Sequence, residues 1–217
     1  MRVRSVGLGF VTLAVGTVAG YLQVWRRPCL MWGATPEEFE RVMPGDEFLL
    51  KPHILATRAI TIGAPPSLIW PWLMQMGSGK GGVYTYDWIE NLFGLRMHSA
   101  REILPQFQDR AVGDTEQLGK NGPRLRVEIL ERERAMVLRS EDGNWVWSFG
   151  LYPSDALTTR FISRNRIATP GAKAFQRVFN TLVLEPGSLI MERKMLLGIK
   201  ERAEDLQARQ TDSEATK

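Results

Sequence analysis

The sequence predicts an α+β domain, an antiparallel sheet with helices on one face, standing behind an N-terminal membrane-spanning helix. Three observations carry this. Ser5 to Trp25 is free of charge, four alternating segments joined by short connectors run from about residue 124 to 167, and a long helical period closes the chain.

The chain has 217 residues, 44% hydrophobic and 24% charged, which suits one core with short extensions and not two large domains. The expected division is residues 1–27 as anchor, 28–53 as a linker with a short helix, 54–209 as the main domain and 210–217 as a disordered polar tail. A net charge of +4 is mildly basic, but cations alternate with acids in runs such as "RVEILERERAMVLR". That pattern marks solvated strand faces and argues against nucleic acid as a partner. Cys29 is the only cysteine and His53 and His98 the only histidines, so neither C-x-x-C nor H-E-x-x-H can be formed. No metal or other cofactor is expected.

In the first segment, "SVGLGFVTLAVGTVAGYLQVW", the uncharged run is long enough to cross a bilayer core as a helix. Arg2 and Arg4 precede it, Arg26 and Arg27 follow, and Tyr21 and Trp25 are rings favoured at the interface. The alternative is a cleaved signal peptide, with "MRVR" as its charged start and Thr17 and Ala19 at the cleavage site. Because the apolar run continues past that site to Trp25, a retained single-pass anchor is favoured. Two arginines on each side leave orientation nearly balanced, and the free amino terminus tips it toward an extracytoplasmic domain. Gly16 and Gly20 form one G-x-x-x-G, a weak signal for a homodimer through the anchor.

Beyond the anchor, Thr35, Pro36 and Glu38 make a capping box for a short helix, and Met43-Pro44-Gly45-Asp46 turns the chain. "ILATRAITI" reads as a strand ended by Ala64-Pro65-Pro66. "PSLIWPWLMQM" has helical spacing of Leu68, Ile69, Trp72, Leu73 and Met76, with Pro71 expected to kink it. Asp87 with Glu90, and Ser99 with Glu102, are the capping pairs of two further short helices.

Four strands follow. "LRVEIL" places Leu125, Val127 and Ile129 on one face, and "AMVLRS" is the second strand. "NWVWSFGLY" places Trp145, Trp147, Phe149 and Leu151 together. "TTRFISRNRI" sets Phe161, Ser163 and Asn165 against Arg160, Arg164 and Arg166, with the arginines expected in solvent and Asn165 inside. "AKAFQRVFNTLVLEPG" reads as a short helix and linker before the long helix of "SLIMERKMLLGIKERAEDLQARQ".

Gly77, Gly79 and Gly82 spell G-x-G-x-x-G, the dinucleotide fingerprint. Its mechanism needs a strand before the glycines and a helix directly after them. Here a helix precedes them, Gly81 replaces the Ser or Thr of a phosphate-binding loop, and the βα alternation of a nucleotide fold is missing. No nucleotide is expected; the glycines link two helices and allow close backbone approach.

The order of elements resembles the helix-grip fold of the START-related (SRPBCC) superfamily, which includes polyketide cyclase/dehydrase-like proteins and plant pollen-allergen-like carriers. The segments "ATRAITIGAPPSLIWPWLMQMGSGKGGVYTYDWIENLFGLRMHSA" and "LIMERKMLLGIKERAE" look like a branch of small bacterial members. The likeness spans about residues 32–208. It implies a curved antiparallel sheet gripping the C-terminal helix around an apolar cavity. The cavity would lie under Leu125, Val127, Ile129, Trp145, Trp147 and Phe149, opposite Met191, Met195 and Ile199. Trp72, Met76, Tyr84, Tyr86, Trp88, Phe161 and Asn165 complete the expected lining.

The first expectation is therefore a membrane-anchored domain that binds, and in one version transports, a hydrophobic small molecule or lipid. The second is a cyclase/dehydratase- or hydrolase-type enzyme using His98, Tyr86, Asp87 or Tyr84 as acid/base groups. The third is a protein-interaction module beside the membrane. Each aromatic and methionine position has a plain alternative as ordinary core, and Asp87 as a helix cap.

Overall fold

The computed structural model describes residues 20–92, 94, 97–119 and 122–215. Apart from residues 20–25, the expected membrane segment lies outside them. Among the described residues no helix is long and apolar enough to cross a membrane.

A π-type turn, Tyr21–Trp25, runs into α1 (Arg26–Leu30), and α2 (Pro36–Glu40) begins at Thr35 with the capping box intact: Glu38 N–H donates to Thr35 Oγ1 and Thr35 N–H to Glu38 Oε2. After β1 (Ile54–Ile62) come α3 (Pro66–Met74) and α4 (Asp87–Leu92), and then strands β2 (Thr115–Gln117), β3 (Arg124–Glu131), β4 (Ala135–Ser140), β5 (Trp145–Pro153) and β6 (Thr159–Ile167). The strands form one antiparallel sheet in the order β1-β6-β5-β4-β3-β2. Its central ladder sets Trp147 opposite Asn165 and Phe149 opposite Ser163 on β6, while Ala56 and Arg58 of β1 pair with the same two residues from the other side.

Helix α5 (Ala174–Phe179), a π segment (Asn180–Leu184) and α6 (Glu185–Ala215) follow without a break. The linker expected around Pro186-Gly187 is thus helical. Pro186 removes one backbone donor and crowds the preceding turn, and it follows a stretch that is already widened to a π turn. The helix also continues through residues 210–215, where a disordered tail was expected. It packs against β1 and α3, and the main core forms between them from Leu73, Phe149, Phe161, Leu196 and Ile199.

Three other expectations are corrected. A bulge between Val127 and Ile129 turns Ile129 opposite Val137, so Leu130, opposite Met136, joins the inner side in its place. The segment from His98 to Phe107 holds only a 3₁₀ turn at Pro105–Phe107. Asp87 takes the Ser99 N–H (2.8 Å) and hydroxyl (2.5 Å), and Gln75 bonds the Glu102 carbonyl and the Leu104 N–H, so this stretch is pinned at both ends by side chains from elsewhere in the chain. Finally, Arg164 is buried and Arg166 is mostly covered, where solvent was expected. The 28–53 linker covers the outer face of the sheet, with Met43 packed on Ala59 and Ile162. Arg164 donates to Asp46 (2.7 Å) and to the carbonyls of Glu38, Phe39 and Arg41 at the end of α2, while Arg166 donates to Asp46 and the Leu49 carbonyl. Arg160 clamps Glu38 and the Gly33 carbonyl. Cations at a helix C-terminus satisfy carbonyls that have no partner within the helix.

Candidate functional site

The glycine loop comes first, because it sets the chain leading into α4. Gly77 and Gly82 exchange backbone hydrogen bonds (2.9 and 3.1 Å) and close the loop on itself. A Cβ on Gly77, where φ is +142°, would stand 1.4 Å from a Glu116 carboxylate oxygen, so this glycine exists to let that carboxylate in. Glu116 is held by Arg110, which also donates to the Met76 carbonyl (2.6 Å). The loop is a packing device between two helices, in the role its flanks suggested.

Tyr84, directly after the loop, has φ +60° and is fully buried. Its hydroxyl donates to the Trp72 carbonyl (2.8 Å), its ring meets Trp72 edge-on, and the Arg202 guanidinium lies 4.8 Å over it. Burial pushes the phenol's pKa upward, so the hydroxyl stays a donor rather than a base.

Between the sheet and the N-terminal half of α6 lies a cavity of about 230 Å³. Its sheet wall is Ile54 and Ala56 of β1, Trp145 and Trp147 of β5 and Asn165 and Ile167 of β6; its helix wall is Ser188, Met191, Glu192 and Met195. Val83, Thr85, Glu90, Met97 and Leu118 close the third side. A much smaller space of about 20 Å³ adjoins it across Val83, Leu118 and Trp147 and reaches Met76, Leu125 and Val127.

The wall is oriented by a hydrogen-bond network that begins at two indoles. Trp145 Nε1 donates to Asn165 Oδ1 (2.7 Å) and Trp147 Nε1 to Ser163 Oγ (3.0 Å). Asn165 Nδ2 (3.1 Å) and Ser163 Oγ both donate to Glu192 Oε1, and the Arg58 guanidinium pairs with Glu192 Oε2. Arg58 also donates to Ser188 Oγ (3.0 Å) and the Cys29 carbonyl. Fixed in this way, the two indoles stack with centroids 5.5 Å apart and present flat apolar faces.

Glu90 is built differently. Only 4% exposed, it lines the cavity beside Thr85, and neither Glu90 Oε2 nor Thr85 Oγ1 has a hydrogen-bond partner. Burial raises the Glu90 carboxyl above the ordinary glutamate range; the nearby Thr85 hydroxyl opposes this and the Asp87 charge adds to it. Two neighbouring buried polar groups lining an apolar space are what a ligand's polar end would meet.

The structure thus brings Trp145, Trp147, Asn165, Met191 and Met195 together at the cavity, and Met76, Leu125 and Val127 at the smaller space. Trp72, Tyr84, Phe149, Phe161 and Ile199 pack in the core instead. Tyr86 lies outside the lining with Lys194 over its ring at 6.0 Å, and Trp88, 70% exposed, points to solvent because α4 buries Glu90. His98 is 94% exposed and 4.0 Å from Asp87, whose carboxylate is already engaged by Ser99, so the expected acid/base group is not assembled at the cavity.

Sequence reasoning missed Glu90, Thr85, Arg58 and Glu192. Glu192 had a signal, since it shares a helical stripe with Ser188, Met195 and Ile199; Glu90 was masked by its resemblance to a capping residue.

An antiparallel sheet closed by a long C-terminal helix, with an apolar cavity between them, is the arrangement that the resemblance of the sequence implied. No family model matches the chain, and no curated protein matches it. Among solved structures it is similar to the KanY protein (13% identity, TM-score 0.46, covering 70% of this chain and 97% of that one). It is also similar to the Zhui aromatase/cyclase from Streptomyces sp. R1128 (16%, TM-score 0.45, 69% and 93%). A third is the polyketide-cyclase-like protein Cgl2372 from Corynebacterium glutamicum (18%, TM-score 0.36, 67% and 88%). Of these three, the second is named an aromatase/cyclase and the third polyketide-cyclase-like.

Proposed function

We propose that this protein binds a hydrophobic small molecule or a lipid in the cavity between the sheet and α6, held at a membrane by residues 5–25. One observation carries the binding: an apolar space whose aromatic wall is rigidly oriented and beside which Glu90 and Thr85 stand as neighbours with no other side-chain partner, Glu90 Oε2 among the unsatisfied atoms. At about 230 Å³ it lies below the roughly 300–1,000 Å³ of drug-sized pockets, so it suits a compact body or one flexible chain. Met191 and Met195, with adaptable thioethers, suit an irregular apolar shape. The ligand's apolar body lies on Trp145 and Trp147, and its hydrogen-bonding end meets Glu90. The test is native mass spectrometry of the purified chain, with Ala56→Trp as the cavity-filling variant. A co-purified apolar molecule lost in that variant is the expected result, and none in either protein refutes the proposal.

A second reading is a cyclase- or dehydratase-type activity in the same cavity. It is favoured by the desolvated Glu90 carboxyl, which burial keeps protonated to higher pH than an ordinary glutamate, as a general acid requires. Once a turnover is found, Glu90→Gln abolishes it with binding retained; unchanged turnover removes this reading.

A further inference from the structure

We propose that α5, the π segment after it and the end of the N-terminal helix form one surface that lies in the headgroup region of an anionic phospholipid bilayer. The proposal rests on the reading of residues 5–25 as a membrane segment and adds a second, separate contact.

Nine of the fifteen exposed large hydrophobic side chains among the described residues fall in just two stretches, 22–25 and 175–190. Leu22, Trp25, Phe175, Phe179, Val183 and Ile190 represent them. The two stretches are tied together by one buried acid: Tyr21 Oη reaches Glu185 at 3.3 Å, and Arg26 grips the same carboxylate through two nitrogens at 2.9 Å. The uncharged N-terminal run therefore ends against the exposed apolar helix, at Glu185.

The charge pattern selects the partner. No Asp or Glu occurs before Glu37, and none between Asp155 and Glu185. Arg27, Lys173 and Arg177 stand around the apolar stripe, while Glu185 is neutralised by Arg26. Two copies meeting on this face would oppose cation to cation. An anionic lipid surface satisfies both the apolar stripe and its cationic border. From Phe175 to Ile190 the helix rises only about 22 Å, so it lies along the interface and does not span it.

The surface also stands at one end of the ligand cavity. A crevice of about 180 Å³ shares Ile54 with the cavity and Thr169 with a surface hollow beside Phe175 and Phe179. An apolar ligand exchanged with the bilayer has a short way to travel.

The test uses the full chain in phosphatidylcholine vesicles containing phosphatidylglycerol. A fluorophore is placed at Phe179→Cys, Val183→Cys or, as control, Val112→Cys; Cys29 is buried and stays unlabelled. Nitroxide-labelled lipid is expected to quench the labels at 179 and 183 at least two-fold and to leave 112 unchanged. Chain that floats with the vesicles but is unquenched at 179 and 183 overturns this surface and leaves the anchor standing. Chain that does not float overturns the anchor and the surface together. Labels shielded from both lipid and aqueous iodide, with energy transfer between copies, mean a dimer face and overturn the proposal. Equal quenching in pure phosphatidylcholine overturns the anionic part of it.

Discussion

Two glutamates face the same cavity in opposite states. Glu192, on α6, is anchored by Arg58, Ser163 and Asn165, and through them by both tryptophans. Glu90, on α4, has an oxygen with no partner at all. A buried carboxylate whose acceptor sites are filled is scaffold: it rigidifies the wall and has little left for chemistry. A buried carboxyl left open raises the free energy of the empty protein, and a ligand that supplies the missing partner recovers it.

The contrast can be broken first at Glu192. Glu192→Ala strands the Arg58 cation in the interior and should cost about 3–5 kcal/mol in urea unfolding. Replacing both partners, Arg58→Met with Glu192→Leu, should cost clearly less, because no lone charge remains. If the double variant is as unstable as the single one, the pair is not what orders this wall.

Glu90 gives the next effect, and its sign depends on pH. An unfolded glutamate titrates near 4.3, whereas burial holds the folded group above its ordinary value. The folded protein therefore keeps this proton to higher pH, and the wild type loses stability as pH rises from about 4.3 through the folded value. Each pH unit between the two values is worth about 1.4 kcal/mol. Glu90→Gln cannot ionise, so its unfolding midpoint should gain on the wild type above that pH and match its trend below. Parallel curves at every pH would mean that Glu90 is not desolvated.

The smallest effect tests the edge of the network. Trp145→Phe removes one hydrogen bond to Asn165 and should cost about 1 kcal/mol of stability. Ligand affinity should fall with it, because the indole plane is no longer fixed. Affinity unchanged beyond error would place the ligand away from β5.

Period-two alternation made the cavity wall legible: Trp145 and Trp147 share a face because their spacing requires it, and Asn165 was expected inside on the same ground. Alternation could not separate Trp147, which borders open space, from Phe149, one pair further on, which borders Phe161 and core. That depends on where α6 diverges from the sheet, a tertiary fact. Arg164 and Arg166 misled for the same reason. A charged strand face reads as solvated unless the chain supplies a cover, and the cover here comes from residues that read only as a linker. Glu90 sat in a pattern where the local explanation, a helix cap, was sufficient and therefore hid the other.

The latch between Asp46 and Arg164 also has a timetable. Its two ends are 118 residues apart, and β1 pairs with β6 across a similar gap. At synthesis rates of about 5–20 residues per second, Asp46 leaves the ribosome roughly 6–24 s before its partner is made. For that interval the linker and β1 have no sheet to close on. Until β6 arrives, β1 is an unpaired strand edge with apolar side chains uncovered, the kind of surface that chaperones shield.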